Sequence, residues 1–256
     1  MRRVLFILVL TAAVFTAFAA CAAQSERVFT GKINPTDNGE KLLAMLVSLT
    51  DPESLEIMMD QIPDDAGSVR DISIFIRGAS IGGFRVEKFA IESSFLEMNP
   101  PSNWIIGERD SLSVKNALRS NVELVALERD INAALVNYAG GDWSRISVDL
   151  KPGRVDAKGH YSSGGLSIFA EVTTRLEILQ GKQIWLKDTS IKINNDDQTD
   201  VIRKELAKIQ PVVDIGRFPF PVTLAVLDID ENRVVFSTRT LPKPVKGLTY
   251  RYTRGS

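Results

Sequence analysis

The segment from Ile146 to Ile178 alternates apolar and polar residues almost without a break. In its last run Leu166, Ile168, Ala170, Val172, Leu176 and Ile178 share one face, while Ser167, Glu171, Thr173, Arg175 and Glu177 mark the other. A period of two is the pattern of a β-strand with one buried and one wet face. A strand over 166–179 spans roughly 45 Å at about 3.3 Å per residue. Typical strands hold only about 5–6 residues. A one-sided sheet of that length either wraps a helix or encloses something apolar.

The flanking sequence sorts into further elements. Pro35-Thr36-Asp37-Asn38 caps a helix over Glu40–Leu49, striped by Leu42, Leu43, Leu46, Val47 and Leu49. Pro52 suits a first helical position, and Leu55, Ile57, Met58, Met59 and Ile62 predict a second helix closed by Pro63. Strands are expected over Val69–Arg77, Phe84–Met98 and Ser113–Ala126, then a helix over Glu128–Tyr138 ended by Gly140-Gly141. After the long alternating region, Gln180-Gly181-Lys182 turns into a strand over Gln183–Ile193. A helix from about Gln198 to Ile209 and strands over Val222–Ile229 and Val234–Thr240 complete the order. Strand runs joined by tight turns favour antiparallel pairing, so the fold class is α+β: a long, mainly antiparallel sheet wrapped around one or more helices.

The N-terminus has a different character. Arg2 and Arg3 precede an apolar run from Val4 to Ala20, followed by small residues to Ala23. This is the layout of a secretory signal, read here as residues 1–23. Residues 24–34 read as a linker, 35–242 as one α+β domain, and 243–256 as a basic tail. Cys21, the one cysteine in 256 residues, sits at the signal exit. Phe18-Ala19-Ala20-Cys21 resembles a lipobox, making Cys21 a candidate lipidation site on a bacterial lipoprotein. Ordinary signal cleavage near Ala20–Ala22 explains the same residues, and an uncleaved membrane anchor is a third reading. All three place the domain outside the cytoplasm, in the periplasm or against the envelope. The domain itself has no cysteine, so its stability comes from its core.

Chemistry-bearing motifs are sparse. The net charge of −1 gives no global attraction to nucleic acid. The single histidine, His160, falls on the wet face of its strand, where a surface role competes with a catalytic one. There is no His/Cys cluster for zinc, no Gly-x-Gly-x-x-Gly and no phosphate loop, so no metal or cofactor is implied. Asn194–Asp200 is acidic but lacks the glycine and distal glutamate of an EF-hand, and a helix cap explains it better. The tail, with Lys243, Lys246, Tyr250, Arg251, Tyr252 and Arg254, reads as a solvated terminus, with contact to a membrane surface as the alternative.

Four segments are similar to a known family. They are Leu127-Glu128-Arg129-Asp130-Ile131-Asn132 with Leu135, the Ile146–Gly159 hairpin, the Gly181-Lys182 turn, and Phe218-Pro219-Phe220-Pro221-Val222 with Val226, Ile229 and Arg233-Val234-Val235. From about Val69 to Thr240 the chain resembles the LmeA family of phospholipid-binding proteins. The resemblance implies a secreted bacterial protein with a curved sheet around a long helix, resembling tubular lipid-binding domains. It carries over no catalytic residue.

The expected function is therefore binding of a phospholipid or other acyl-chain lipid in an apolar groove or tunnel, in support of cell-envelope lipid handling. Burying one methylene is worth about 0.8 kcal/mol, so aliphatic walls suffice to hold a lipid. The candidate lining is Ile72, Ile74, Ile76, Val148, Leu150, Val155, Ile168, Ala170 and Val172. The competing reading is that these residues pack on the protein's own helices, in a structural or scaffolding envelope protein with a filled core and a protein partner. A hydrolase using some of the many carboxylates is a third reading, although no pair stands out.

Overall fold

The computed structural model describes residues 26–81, 84–138, 143–163, 166–197, 199, 207, 210–211, 213–215 and 220–255. The signal-like segment and the helix expected over 198–209 lie outside these residues, apart from isolated positions.

Two sheets make up most of the described chain. The first contains β1 (Glu26–Thr30), β2 (Ser54–Met59), β3 (Ser68–Ile81), β4 (Phe84–Met98), β5 (Val114–Asn116), β6 (Arg119–Leu127), β13 (Val226–Ile229), β14 (Arg233–Ser237) and β15 (Leu248–Thr253). Its order is β1-β15-β2-β3-β4-β6-β14-β13, with β5 also paired to β4. Only the β1–β15 pairing is parallel in this sheet; the others are antiparallel. The second sheet contains β7 (Trp143–Lys151), β8 (Arg154–Ser163), β9 (Leu166–Leu179), β10 (Gln183–Ile193), β11 (Asp196–Asp197) and β12 (Val213–Asp214). It runs β11-β10-β9-β8-β7, with β12 on β10. Both sheets stay open, so the α+β expectation holds and the molecule is not a closed barrel.

Helix α1 (Asn38–Thr50) lies on the first sheet. Asp37 caps it by accepting from the Glu40 amide at 2.8 Å, and Asp51 ends it in the left-handed region. Its buried Leu42, Leu43 and Met45 join Leu55, Ile57, Met59, Ile72, Ile74, Ile76, Ile91 and Tyr250 in one core. Helix α2 (Glu128–Tyr138) follows β6 directly, with the expected bounds.

Three expectations are corrected. The apolar run after Pro52 is the strand β2, not a helix. Leu55, Ile57 and Met59 alternate on the α1 side, in register with Ile76, Ile74 and Ile72. A dense apolar run carries both periodicities at once, and pairing on two sides decides for the strand. The supposed tail contains β15, held between β1 and β2, with Tyr250 among the most buried side chains. The supposed linker contains β1, which β15 organises. Between β14 and β15 the chain crosses the back of the sheet. There the Lys243 amide donates to Glu92 and the Val245 amide to the Ser73 hydroxyl, both at 3.0 Å.

Candidate functional site

The second sheet has two unlike faces, set by the alternation that marks the sequence. Cross-strand register aligns Val148, Ala157, Val172 and Ile191 on one rung, and Gly159, Ala170 and Ile193 on the next. Leu150, Val155 and Thr174 form a third, and Tyr161 pairs with Ile168. This face is apolar. The intervening rungs are polar: Ser147, Lys158, Glu171 and Lys192 on one, Asp149, Asp156, Thr173 and Ser190 on another.

The polar side holds a cleft of ≈ 300 Å³. Asp156 organises it, accepting from Lys151 at 2.7 Å, Thr173 at 2.9 Å and Arg154 at 3.0 Å. Burial alone would raise the Asp156 carboxyl. The Lys151 and Thr173 hydrogen bonds and the Arg154 charge outweigh it and hold the group below its ordinary range. His160 lies on this side, half-buried, with its ring 4.8 Å from that of Phe169. Among the described residues no cluster of His, Cys, Asp and Glu could hold a metal.

Helix α2 fixes the edge of the sheet. Asn132 donates to the Val148 carbonyl at 2.8 Å and accepts from its amide at 2.6 Å. Glu128 accepts from the Leu150 amide at 2.7 Å. Side chains thus supply the hydrogen bonds a further strand would make along β7. Asp130 faces the other way and accepts from Arg85 at 2.9 Å, tying the helix to β4.

The apolar face joins the core of the first sheet. Leu150 packs with Ile229 and Val234, and Leu176 and Phe236 touch both this cluster and the larger core around α1. The Gly181 carbonyl accepts from Leu224 at 2.8 Å and the Ile229 carbonyl from Gly153 at 3.1 Å, docking both hairpin turns on the closing segment.

The nine expected lining residues fall into three groups. Ile72, Ile74 and Ile76 are only 1%, 4% and 2% exposed, sealed against α1 and its neighbours. A wall of an open tunnel would keep water-accessible surface, so this part of the first sheet is a filled core. Leu150 is buried in the seam between the sheets, with Val148 and Val155 packed against it. Ile168, Ala170 and Val172 are half-buried, on the part of the apolar face that extends away from the seam.

A family model for LmeA-like phospholipid-binding proteins matches residues 43–239, most of the chain. The chain belongs to the LmeA-like family. The match begins inside α1 and runs through β14, so it includes the last part of α1 and β2 as well as the region from Val69 onward. Comparison with curated proteins and with solved structures gives no significant match. The LmeA-like family is a lipid-binding family and not a family of enzymes. The geometry also gives the family-like residues physical roles. Glu128 and Asn132 hold the β7 edge, and Ile229 and Val234 build the seam. The sequence puts Leu176 on the apolar face but does not single out Leu176 or Phe236 as seam residues, because alternation shows which face is apolar but not where two faces meet.

Proposed function

We propose that the chain binds a phospholipid with an acyl chain laid along the apolar face of the second sheet, outside the cytoplasm, as a non-catalytic step in envelope lipid handling. One observation carries the reading: the apolar face continues past its seam with the first sheet, and Ile168, Ala170 and Val172 on it remain half-buried. From Leu176 to Ile168 the path is roughly 26 Å at about 3.3 Å per residue. One leaflet contributes about half of a hydrocarbon core of roughly 30 Å, so a full acyl chain fits along it. Arg2, Arg3 and the apolar run to Ala20 support the extracytoplasmic setting, and Cys21 supports a lipid anchor there.

Native mass spectrometry of protein purified from a bacterial envelope tests the reading. Wild type is expected to carry a phospholipid mass. Ala170→Trp places a large ring between Gly159 and Ile193. It is expected to weaken lipid binding at least about tenfold, or about 1.4 kcal/mol. Lipid-free wild type, or full occupancy in the tryptophan variant, contradicts the assignment.

A further inference from the structure

The end of β4 and the excursion that leads from it to β6 carry four strongly exposed hydrophobic side chains. Phe95 is 57% exposed, Ile105 51%, Ile106 45% and Leu118 74%. Soluble surfaces scatter such residues singly, and a concentration of them marks an interaction site.

The backbone holds these side chains outward. Phe95 has φ 51, a left-handed conformation that a bulky aromatic rarely adopts. Burial passes there from Ile91 and Ser93 to Leu96 and Met98, which turns Phe95 out of the alternation. Leu118 stands at the neighbouring register position, its amide donating to the Ser94 carbonyl at 3.0 Å. Ile105 and Ile106 sit on a braced loop. Buried Trp104 donates its indole N–H to the Asn99 backbone carbonyl at 2.9 Å, and the Asn99 side chain donates through Nδ2 to the Ser111 carbonyl at 2.7 Å. The Ser111 hydroxyl accepts from the Ile105 amide at 2.9 Å. Lys41 of α1 donates to the Pro101 carbonyl at 2.7 Å, fixing the loop to the first core.

We propose that this excursion docks the protein on the surface of a phospholipid bilayer, with Ile105 and Ile106 as its inserting tip. The exposed charges between the apolar residues are balanced in sign: Glu97, Glu108 and Asp110 against Arg109, Lys115 and Arg119. A balanced rim complements zwitterionic headgroups, which present both signs, better than a uniformly anionic surface. A protein partner would need a contiguous apolar centre with charge at its edge. Here charged residues follow the adjacent Ile105 and Ile106 along the chain, which suits a membrane surface that takes apolar side chains into its boundary and keeps charges among its headgroups. The purpose of the docking rests on the lipid-binding reading, since a carrier has to meet the membrane that supplies its lipid.

The test labels the full-length chain at the tip. Ile106→Cys in a Cys21→Ser background carries an environment-sensitive fluorophore, and Val136→Cys, exposed on α2, carries it in a control protein. Phosphatidylcholine vesicles are expected to shift the emission at position 106 to the blue, with quenching by lipids spin-labelled on their acyl chains. Position 136 is expected to stay unchanged, and the shift at 106 to survive high salt. An unshifted position 106, an equal shift at both positions, or a shift abolished by salt overturns the proposal. Native mass spectrometry of the same samples separates the two readings. Bound lipid without a tip response sinks the docking alone, and a tip response without bound lipid sinks the binding alone.

Discussion

Glu40 shows how single residues stitch the chain ends to the core. It is almost fully buried yet accepts from the Thr36 amide at 2.6 Å, the Thr36 hydroxyl at 2.9 Å and Arg27 at 2.6 Å. Burial pushes its carboxyl up, but these donors together hold it below its ordinary value. Arg27 also stands over the Tyr250 ring at 5.5 Å, so β1, β15 and α1 meet at one point. Because the folded value is depressed, the contribution to stability is present above the unfolded value of about 4.3 and lost as pH falls through the folded one. Glu40→Gln is expected to destabilise by about 1–3 kcal/mol near neutral pH. Denaturant melts from about pH 7 to about pH 3 should show the difference from wild type shrinking on acidification. Gly39→Ala sets helix propensity against packing. Propensity favours alanine by about 1 kcal/mol. An added Cβ, however, would lie 2.7 Å from Cζ of buried Tyr250. Packing should win, with a net loss of about 1–3 kcal/mol in thermal or denaturant melts.

The elements differ in how much of them the sequence discloses. The bounds of Phe84–Met98 and Glu128–Tyr138 are legible to the residue, because punctuation marks their ends, although the alternation of the strand changes phase at Phe95. β2 is not, since Met58 fills the gap between Ile57 and Met59 and blurs a period of two into a helical stripe. β15 is hidden by the Lys and Arg around it. Its Tyr250 and Tyr252 alternate correctly, but six residues near a terminus give no sign that β1 and β2 will flank them. The lining candidates show the same limit. Ile74 and Val172 are equivalent in pattern, and only the placement of α1 seals the first and leaves the second half-buried. Helix α2 yields a test at this scale. Asn132→Ala removes both bonds to Val148, and the loss should cost about 1–3 kcal/mol. Hydrogen exchange should quicken first at the amides of Val148 and Leu150, with β2 and β3 unchanged; uniform quickening would mean α2 does not guard that edge.

Across the whole molecule the two sheets divide the work. The first is filled by its own helix and holds both ends of the described chain, β1 and β15, side by side. The second extends an apolar face from that filled core, latched by α2 on one edge and by the closing segment at its turns. The alternating stretch from Ile146 to Ile178 builds the second sheet, and its apolar face is the one on which the proposed acyl chain lies. The most direct measurement is cross-linking with a phospholipid that carries a photoactivatable diazirine midway along one acyl chain, followed by peptide mapping. The account predicts adducts on β8 and β9, centred on Ile168, Ala170 and Val172. Adducts confined to α1 and β2–β4, or none at all, would contradict it.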